Sequence, residues 1–514
     1  MRRAPIRPKI LAGLTTLALL AASATACGTT GNAGGAAASD TLVIGISRQL
    51  TTLDPGNGGS VDGDGTIQRA IYSGLTYYDA KLELKGDLAT AWEQTSTTAW
   101  TFHLRSGVTF SDGTPLTSAD VKWNFDRFLE PDTKLRSAST VRAFVASVEA
   151  PDPTTVIVNT KGPYLDLPDR TANFLILNKE FTLAHEGQNV TLGSGPYQLE
   201  TVDLDNGATL IPNPRYYGEK PVWQHVTYKL LQTEAQRVQA AQAGEIDVAI
   251  QYEPASLKLF ANSARYNTGI QWSSWNNTLR INEGIKPLDD VRVRQAINYA
   301  IDKKDIIDNV IGADIAPLAG QVVAAPYDRV NPDLKAYPYD PDKARKLLAE
   351  AGYASGFELE LALTQGSYVA QDPAAQVIAR NLEAVGITLK ITQAAFANWV
   401  QRTYSKEAPA LYYIGYTSGY KAPAERLRIY ATANPQTHYS PDDTAYDALV
   451  AKVTQAGSAA EQQQYVNEAT SYFREQAHVI FLWPQPLTYI VNKNLTWTPR
   501  PEHWLVPQEF TPQA

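Results

Sequence analysis

A single cysteine, Cys27, stands in a chain of 514 residues, so no intrachain disulfide can form and packing must carry the stability of whatever folds. That length exceeds what one hydrophobic core usually spans, which argues for two or three lobes. With hydrophobic residues at 44% and charged residues at 19%, the composition is that of an ordinary globular chain and excludes a disordered one. The formal net charge of −8 disfavours nucleic acid or an anionic membrane surface as the partner.

The N-terminus carries the sharpest local signal. Arg2, Arg3, Arg7 and Lys9 precede an apolar run from Ile10 to Ala22 that is too short to span a bilayer, which is the pattern of an export signal. It runs into "ASATAC", where Ala24, Thr25 and Ala26 stand directly before Cys27. This resembles a bacterial lipobox, whose cysteine is acylated and becomes the first mature residue; Ala24 takes the place of the usual leucine. Residues 1–26 are expected to be a lipoprotein signal peptide, and 27–40, rich in Gly, Ala and Ser, a flexible tether. The expected location is extracytoplasmic, lipid-anchored at the outer face of the cytoplasmic membrane, and nothing later is apolar for long enough to span it.

From Thr41 the pattern is orderly. "TLVIGIS" alternates Leu42, Ile44 and Ile46 with Val43, Gly45 and Ser47, as in a strand with one face more deeply buried. In "WTFHLRSGVTFSDGTPLTSADVKWNFDRF", Trp100, Phe102 and Leu104 mark one face of a strand. Val108 and Phe110 suggest a short second strand, between turns at Ser106-Gly107 and Asp112-Gly113. Thr117 to Asp120 reads as a capping box, followed by Val121, Phe125, Phe128 and Leu129 at helical spacing until Pro131. Nothing there pairs a nucleophile with a base.

This block, with "LTTLDPGN", "GSGPYQLE", "NPRYYGEKP", "AAQAGEIDVAI", "PLDDVRVRQAINYAIDKKDII" and "YDPDKARKLLAEAGY" in that order, resembles the solute-binding proteins of the dipeptide/oligopeptide/nickel class of ABC importers, bacterial extracellular family 5. The resemblance implies an α/β, two-lobed, three-domain fold like that of periplasmic binding proteins (type II, cluster C-like). Domain I would comprise 41–72, 183–272 and 487–514, the inserted domain II 73–182, and domain III, the second lobe, 273–486. "WNNTLRIN" and "PLTYIVN" would be the two hinge crossings. It further implies a monomer that closes on a small solute and delivers it to an ABC permease with ATPase subunits. This chain has no GxxxxGK[ST] loop of its own, and no cofactor is expected.

The resemblance makes a peptide the first expectation for the solute. Peptide-binding members hold the ligand's ammonium with an aspartate three residues after a tryptophan; in "YIGYTSGYKAP" those places hold Gly419 and Tyr416. A buried ammonium would lose a charge-assisted hydrogen bond there. A metal chelate, for which Tyr416, Tyr420 and His438 would serve, or an oligosaccharide stacked on tryptophan faces are the alternatives. The residues expected to touch solute are Tyr416, Ser418, Gly419, Tyr420, Trp275, Asn277, Trp483, Gln485 and Asn57. A secreted hydrolase is the rival class. HExxH, CxxC and GxSxG are absent, His103, His185, His225, His438, His478 and His503 are dispersed, and Asp289-Asp290 and Asp442-Asp443 stand where helix capping accounts for them. The reading is therefore a binding protein and not an enzyme.

Overall fold

Leu42, Ile44 and Ile46 are fully buried on the first strand, as their alternation requires, and the strand is hydrogen-bonded on both edges. The computed structural model that shows this describes residues 40–513 apart from 59–60, 324–328, 404, 406, 417–420 and 433–442. Cys27, Ser418, Gly419, Tyr420 and His438 lie outside the described residues. The strands that matter below are β1 (Thr41–Ile46), β2 (Ala89–Ser96), β3 (Ala99–Leu104), β4 (Val145–Asp152), β5 (Thr155–Thr160), β6 (Tyr197–Asp203), β7 (Gly207–Pro212), β8 (His225–Leu230), β9 (Val248–Ile250), β10 (Tyr266–Ile281), β11 (Phe357–Thr364), β12 (Ile387–Ala394), β13 (Leu411–Tyr416) and β14 (Val479–Asn492).

Ten of them form one mixed sheet in the order β12-β11-β13-β10-β14-β9-β1-β8-β7-β6. In one half β1 runs parallel to both β8 and β9; in the other β11 runs parallel to both β12 and β13. Parallel strands need crossover connections and cover on both faces, so each half builds its own core. One cluster gathers Leu42, Ile44, Val226, Tyr228, Val248 and Leu487, and another Leu279, Ile297, Leu361, Ile378, Tyr413 and Trp483. The long antiparallel pair β10 and β14 joins them.

Residues 89–160 make a separate four-stranded antiparallel sheet, β2-β3-β5-β4. The helix Ser118–Leu129 buries Val121, Phe125 and Phe128 in the apolar cluster that also holds Phe102, Val156 and Val158. Thr117 caps it: the Asp120 carboxylate accepts from the Thr117 N–H at 2.9 Å. A residue such as Phe125, 1% exposed, stabilises by about 2–3 kcal/mol through burial alone. The expected strand at Val108 and Phe110 is absent. Only Thr109 bridges Pro115, because a proline cannot donate to extend the ladder.

Candidate functional site

The two long strands pair from Tyr266 opposite Asn492 to Arg280 opposite Val479, and the register shifts twice on the way, between Trp272 and Asn276 and again between Asn276 and Thr278; the first slip is the larger. Trp272 lies opposite Pro486 and Asn276 opposite Pro484, so one strand takes four steps where the other takes two. Pro484 and Pro486 supply no N–H, which is why ordinary pairing fails here. Side chains substitute: Ser273 Oγ donates to the Gln485 carbonyl at 2.7 Å, and the Ser274 N–H donates to the Pro501 carbonyl at 2.9 Å. The slip turns Trp275 and the next residues toward the C-terminal segment around His503.

There the Trp275 indole stacks on the His503 imidazole, with centroids 5.3 Å apart and planes 15° from parallel. His503 is 2% exposed, and neither ring nitrogen has a hydrogen-bond partner among the described residues. Burial pushes its pKa down to about 4, so the ring is neutral at neutral pH; nearby Asp62 pulls the other way and Arg48 assists the fall. The residue also sits at φ 73°, a left-handed conformation uncommon outside glycine. Trp275 Nε1 and Asn277 Oδ1 are likewise buried without a partner among the described residues.

Asn277 is fixed by its other pole, since Nδ2 donates to Gln485 Oε1 at 2.8 Å. Gly415, opposite Asn277 on β13, leaves room for the Oδ1 atom. A Cβ at 415 would stand 2.6 Å from it, 3.0 Å from the Tyr368 ring and 3.5 Å from the Trp275 ring. Those three groups therefore converge on one point. Charge near the point is balanced: Arg48 Nε lies 3.2 Å from Asp62 Oδ1, while Asp62 Oδ2 also accepts from Ser47 and Gln251. Arg48 reaches across to the Ser367 carbonyl at 3.4 Å. Glu253 accepts from the Ala370 N–H at 3.0 Å, at the start of the helix Gln371–Glu383. Burial raises the Glu253 pKa to about 7 against that hydrogen bond.

Trp275, Asn277 and Gln485 meet at the slip. Trp483 is fully buried in the apolar cluster of the second half. Tyr416 ends β13 opposite Asn276, its ring 5.4 Å from the Arg280 guanidinium and its carbonyl accepting from Arg426. Asn57 instead lines a cavity of about 760 Å³ with Trp123, Arg127 and Leu183. That cavity and two others, of about 290 and 550 Å³, are lined only from residues 52–219 and 500–509. Arg48, Asp62, Tyr368, Gly415 and His503 were not legible as site residues. Trp275 and His503 are far apart in the chain, and no local pattern marks a stack between them.

Further contacts join the segment after the four-stranded sheet to the second half of the large one. Arg170 Nη1 lies 3.0 Å from Glu425 Oε2, Tyr164 donates to Glu425 Oε1 at 3.0 Å, and Gln462 Nε2 donates to Asp166 Oδ2 at 2.9 Å. Among the described residues no group of three or more His, Cys, Asp or Glu side chains is arranged to hold a metal ion. No described helix is long and apolar enough to cross a membrane.

Residues 83–438 match the family described as bacterial extracellular solute-binding proteins, family 5. The chain belongs to that family. This family-5 protein is 27% identical over 495 residues to the glutathione-binding protein GsiB of Salmonella typhi, covering 92% of this chain and 93% of that one. Its fold matches DppA from Helicobacter pylori in complex with the peptide STSA, with a TM-score of 0.79, 20% identity, and 92% and 98% of the two chains covered. It also matches NikZ from Campylobacter jejuni in complex with Ni(L-His), with a TM-score of 0.76, 22% identity, and 89% and 95% covered. The fold is thus the mixed α/β architecture of periplasmic binding proteins. The protein is an extracytoplasmic solute-binding component of an ABC import system, from a family of binding proteins rather than enzymes.

Proposed function

We propose that the protein is a lipid-anchored receptor that encloses a small peptide-like solute between two lobes and hands it to its permease. The observation that carries this reading is the set of buried polar atoms at the slip, Trp275 Nε1, Asn277 Oδ1 and both His503 nitrogens, that no described residue satisfies. Leaving such atoms unpaired costs about 1–3 kcal/mol each, and a solute that pairs with them recovers that cost. Trp275, Asn277 and Gln485 hold the solute from one lobe and His503 from the other. Tyr416, at the end of β13, borders it.

The lobes follow the two cores, with 41–72, 183–272 and 487–514 in domain I, 73–182 in domain II and 273–486 in domain III. The slipped stretch between Trp272 and Asn276, opposite two prolines, is the hinge. Closure of this kind is established for periplasmic binding proteins, and a solute favours the closed form only by binding it better than the open one. Cys27 carries the lipid, although one acyl chain alone anchors marginally and more than one is required for stable retention. The glutathione-binding relatives favour a short peptide as the solute.

Native mass spectrometry of the protein purified from its host's envelope tests the solute. A released short peptide or glutathione is expected; a sugar or metal chelate in its place would replace the peptide reading. Cys27→Ala should abolish lipid mass and release the chain from membranes, and unchanged fractionation of the variant would refute the anchor.

A further inference from the structure

The centre of the site has a chemistry that narrows what it reads. Asn277 presents an acceptor, because its donor pole is committed to Gln485. Trp275 Nε1 presents a donor. His503, neutral in its buried setting, presents one donor and one acceptor nitrogen. The ionic groups beside them, Arg48 and Asp62, neutralise each other at 3.2 Å. The two charged groups that act on His503, Arg48 and Asp62, leave neither sign in excess, so a terminal ammonium or carboxylate brought against the ring would find its desolvation poorly repaid. A neutral group that carries a donor and an acceptor side by side meets every requirement.

On the peptide reading above, we infer that the group recognised between Trp275, Asn277 and His503 is an uncharged amide of the solute rather than one of its charged ends. The amide N–H donates to Asn277 Oδ1, and its carbonyl accepts from Trp275 Nε1 or the His503 N–H. His503 is thereby a specificity-determining residue, and its left-handed backbone favours a short list of replacements. Asparagine tolerates φ 73° and offers a donor and an acceptor without charge. Phenylalanine keeps a ring against Trp275 and offers neither.

The test is calorimetric titration of the mature chain with trialanine and with the same peptide acetylated at its N-terminus and amidated at its C-terminus. Both forms should bind wild type within about threefold of each other, less than 1 kcal/mol. His503→Phe should weaken both by about tenfold or more, equivalent to about 1.4 kcal/mol, while His503→Asn stays within about threefold of wild type. If His503→Phe fails to fold, the comparison of the two peptides on wild type still decides. Tight binding of free trialanine with loss of a hundredfold or more, about 2.7 kcal/mol, on blocking its ends would overturn the amide inference and leave the peptide receptor standing. Binding of neither peptide, with capture of an oligosaccharide such as maltotriose instead, would overturn both.

Discussion

Two buried histidines in this protein have opposite surroundings. His478, 8% exposed, sits between two carboxylates: Nδ1 is hydrogen-bonded to Glu283 Oε1 at 2.8 Å, and Nε2 lies 3.2 Å from Asp443 Oδ2, within ion-pair reach but without hydrogen-bond geometry. Glu283 is paired in turn with Arg294 at 3.2 Å, and Asp443 caps the helix Thr444–Gln455. His503 is more buried still and has neither nitrogen partnered among the described residues. A buried polar group with its partners built in is scaffold. One with no partner among the described residues, at the meeting of two halves, is where the proposed site seats its solute.

The largest effect that would sharpen this contrast is on stability. His478→Ala strips the charged groups around it of a shared partner and should cost about 3–5 kcal/mol, while solute affinity of the folded fraction stays unchanged. Urea unfolding followed by titration measures both, and a loss of affinity without a loss of stability would reverse the assignment. His503→Phe should do the opposite, with affinity falling and stability moving by no more than about 1 kcal/mol at neutral pH, since it keeps a ring on Trp275 and removes no hydrogen bond.

The second effect depends on pH. His503 titrates near 4 in the fold against an ordinary 6.5, so the unfolded chain binds its proton first as pH falls. Its contribution is complete above pH 6.5 and is lost on acidification toward pH 4, by up to about 3 kcal/mol. Asp62 and Arg48 face the ring with opposite charges and leave burial dominant. Glu253, raised to about 7 from 4.5, runs the other way: its proton is held more tightly in the fold, and its stabilisation, present below pH 4.5, is lost as pH rises to 7. Stability-versus-pH difference curves for His503→Asn and Glu253→Gln should therefore slope in opposite directions between pH 4.5 and 6.5. Parallel curves would contradict the two environments.

The smallest effect concerns the contact between Arg170 and Glu425. Arg170→Ala or Glu425→Gln removes a pair at 3.0 Å that, on the proposed closure, would hold the two lobes together. Apparent solute affinity should weaken by about three- to tenfold through a smaller closed population, with no change in which solutes bind. A change of solute preference would move Glu425 into the recognition site itself.

Much of the scaffold was legible because its causes are local. The Thr117–Asp120 box, the Asp290 cap and the β1 alternation each depend on a few adjacent residues. The site depends on distant ones. Trp275 and Asn277 stood out as an aromatic and an amide near a hinge-like stretch, but His503 was one of six scattered histidines until the fold laid the C-terminal segment over the slip. Pro484 and Pro486, inside a central strand, have no N–H to give the ladder. They mark the place where the ladder breaks and the two halves meet.

The most direct test is a crystal structure of the protein with the solute that co-purifies with it. Our account predicts solute atoms within about 3.2 Å of Asn277 Oδ1 and of Trp275 Nε1 or a His503 nitrogen. A solute seated in the 760 Å³ cavity beside Asn57, with the Trp275 and His503 stack unchanged, would contradict it.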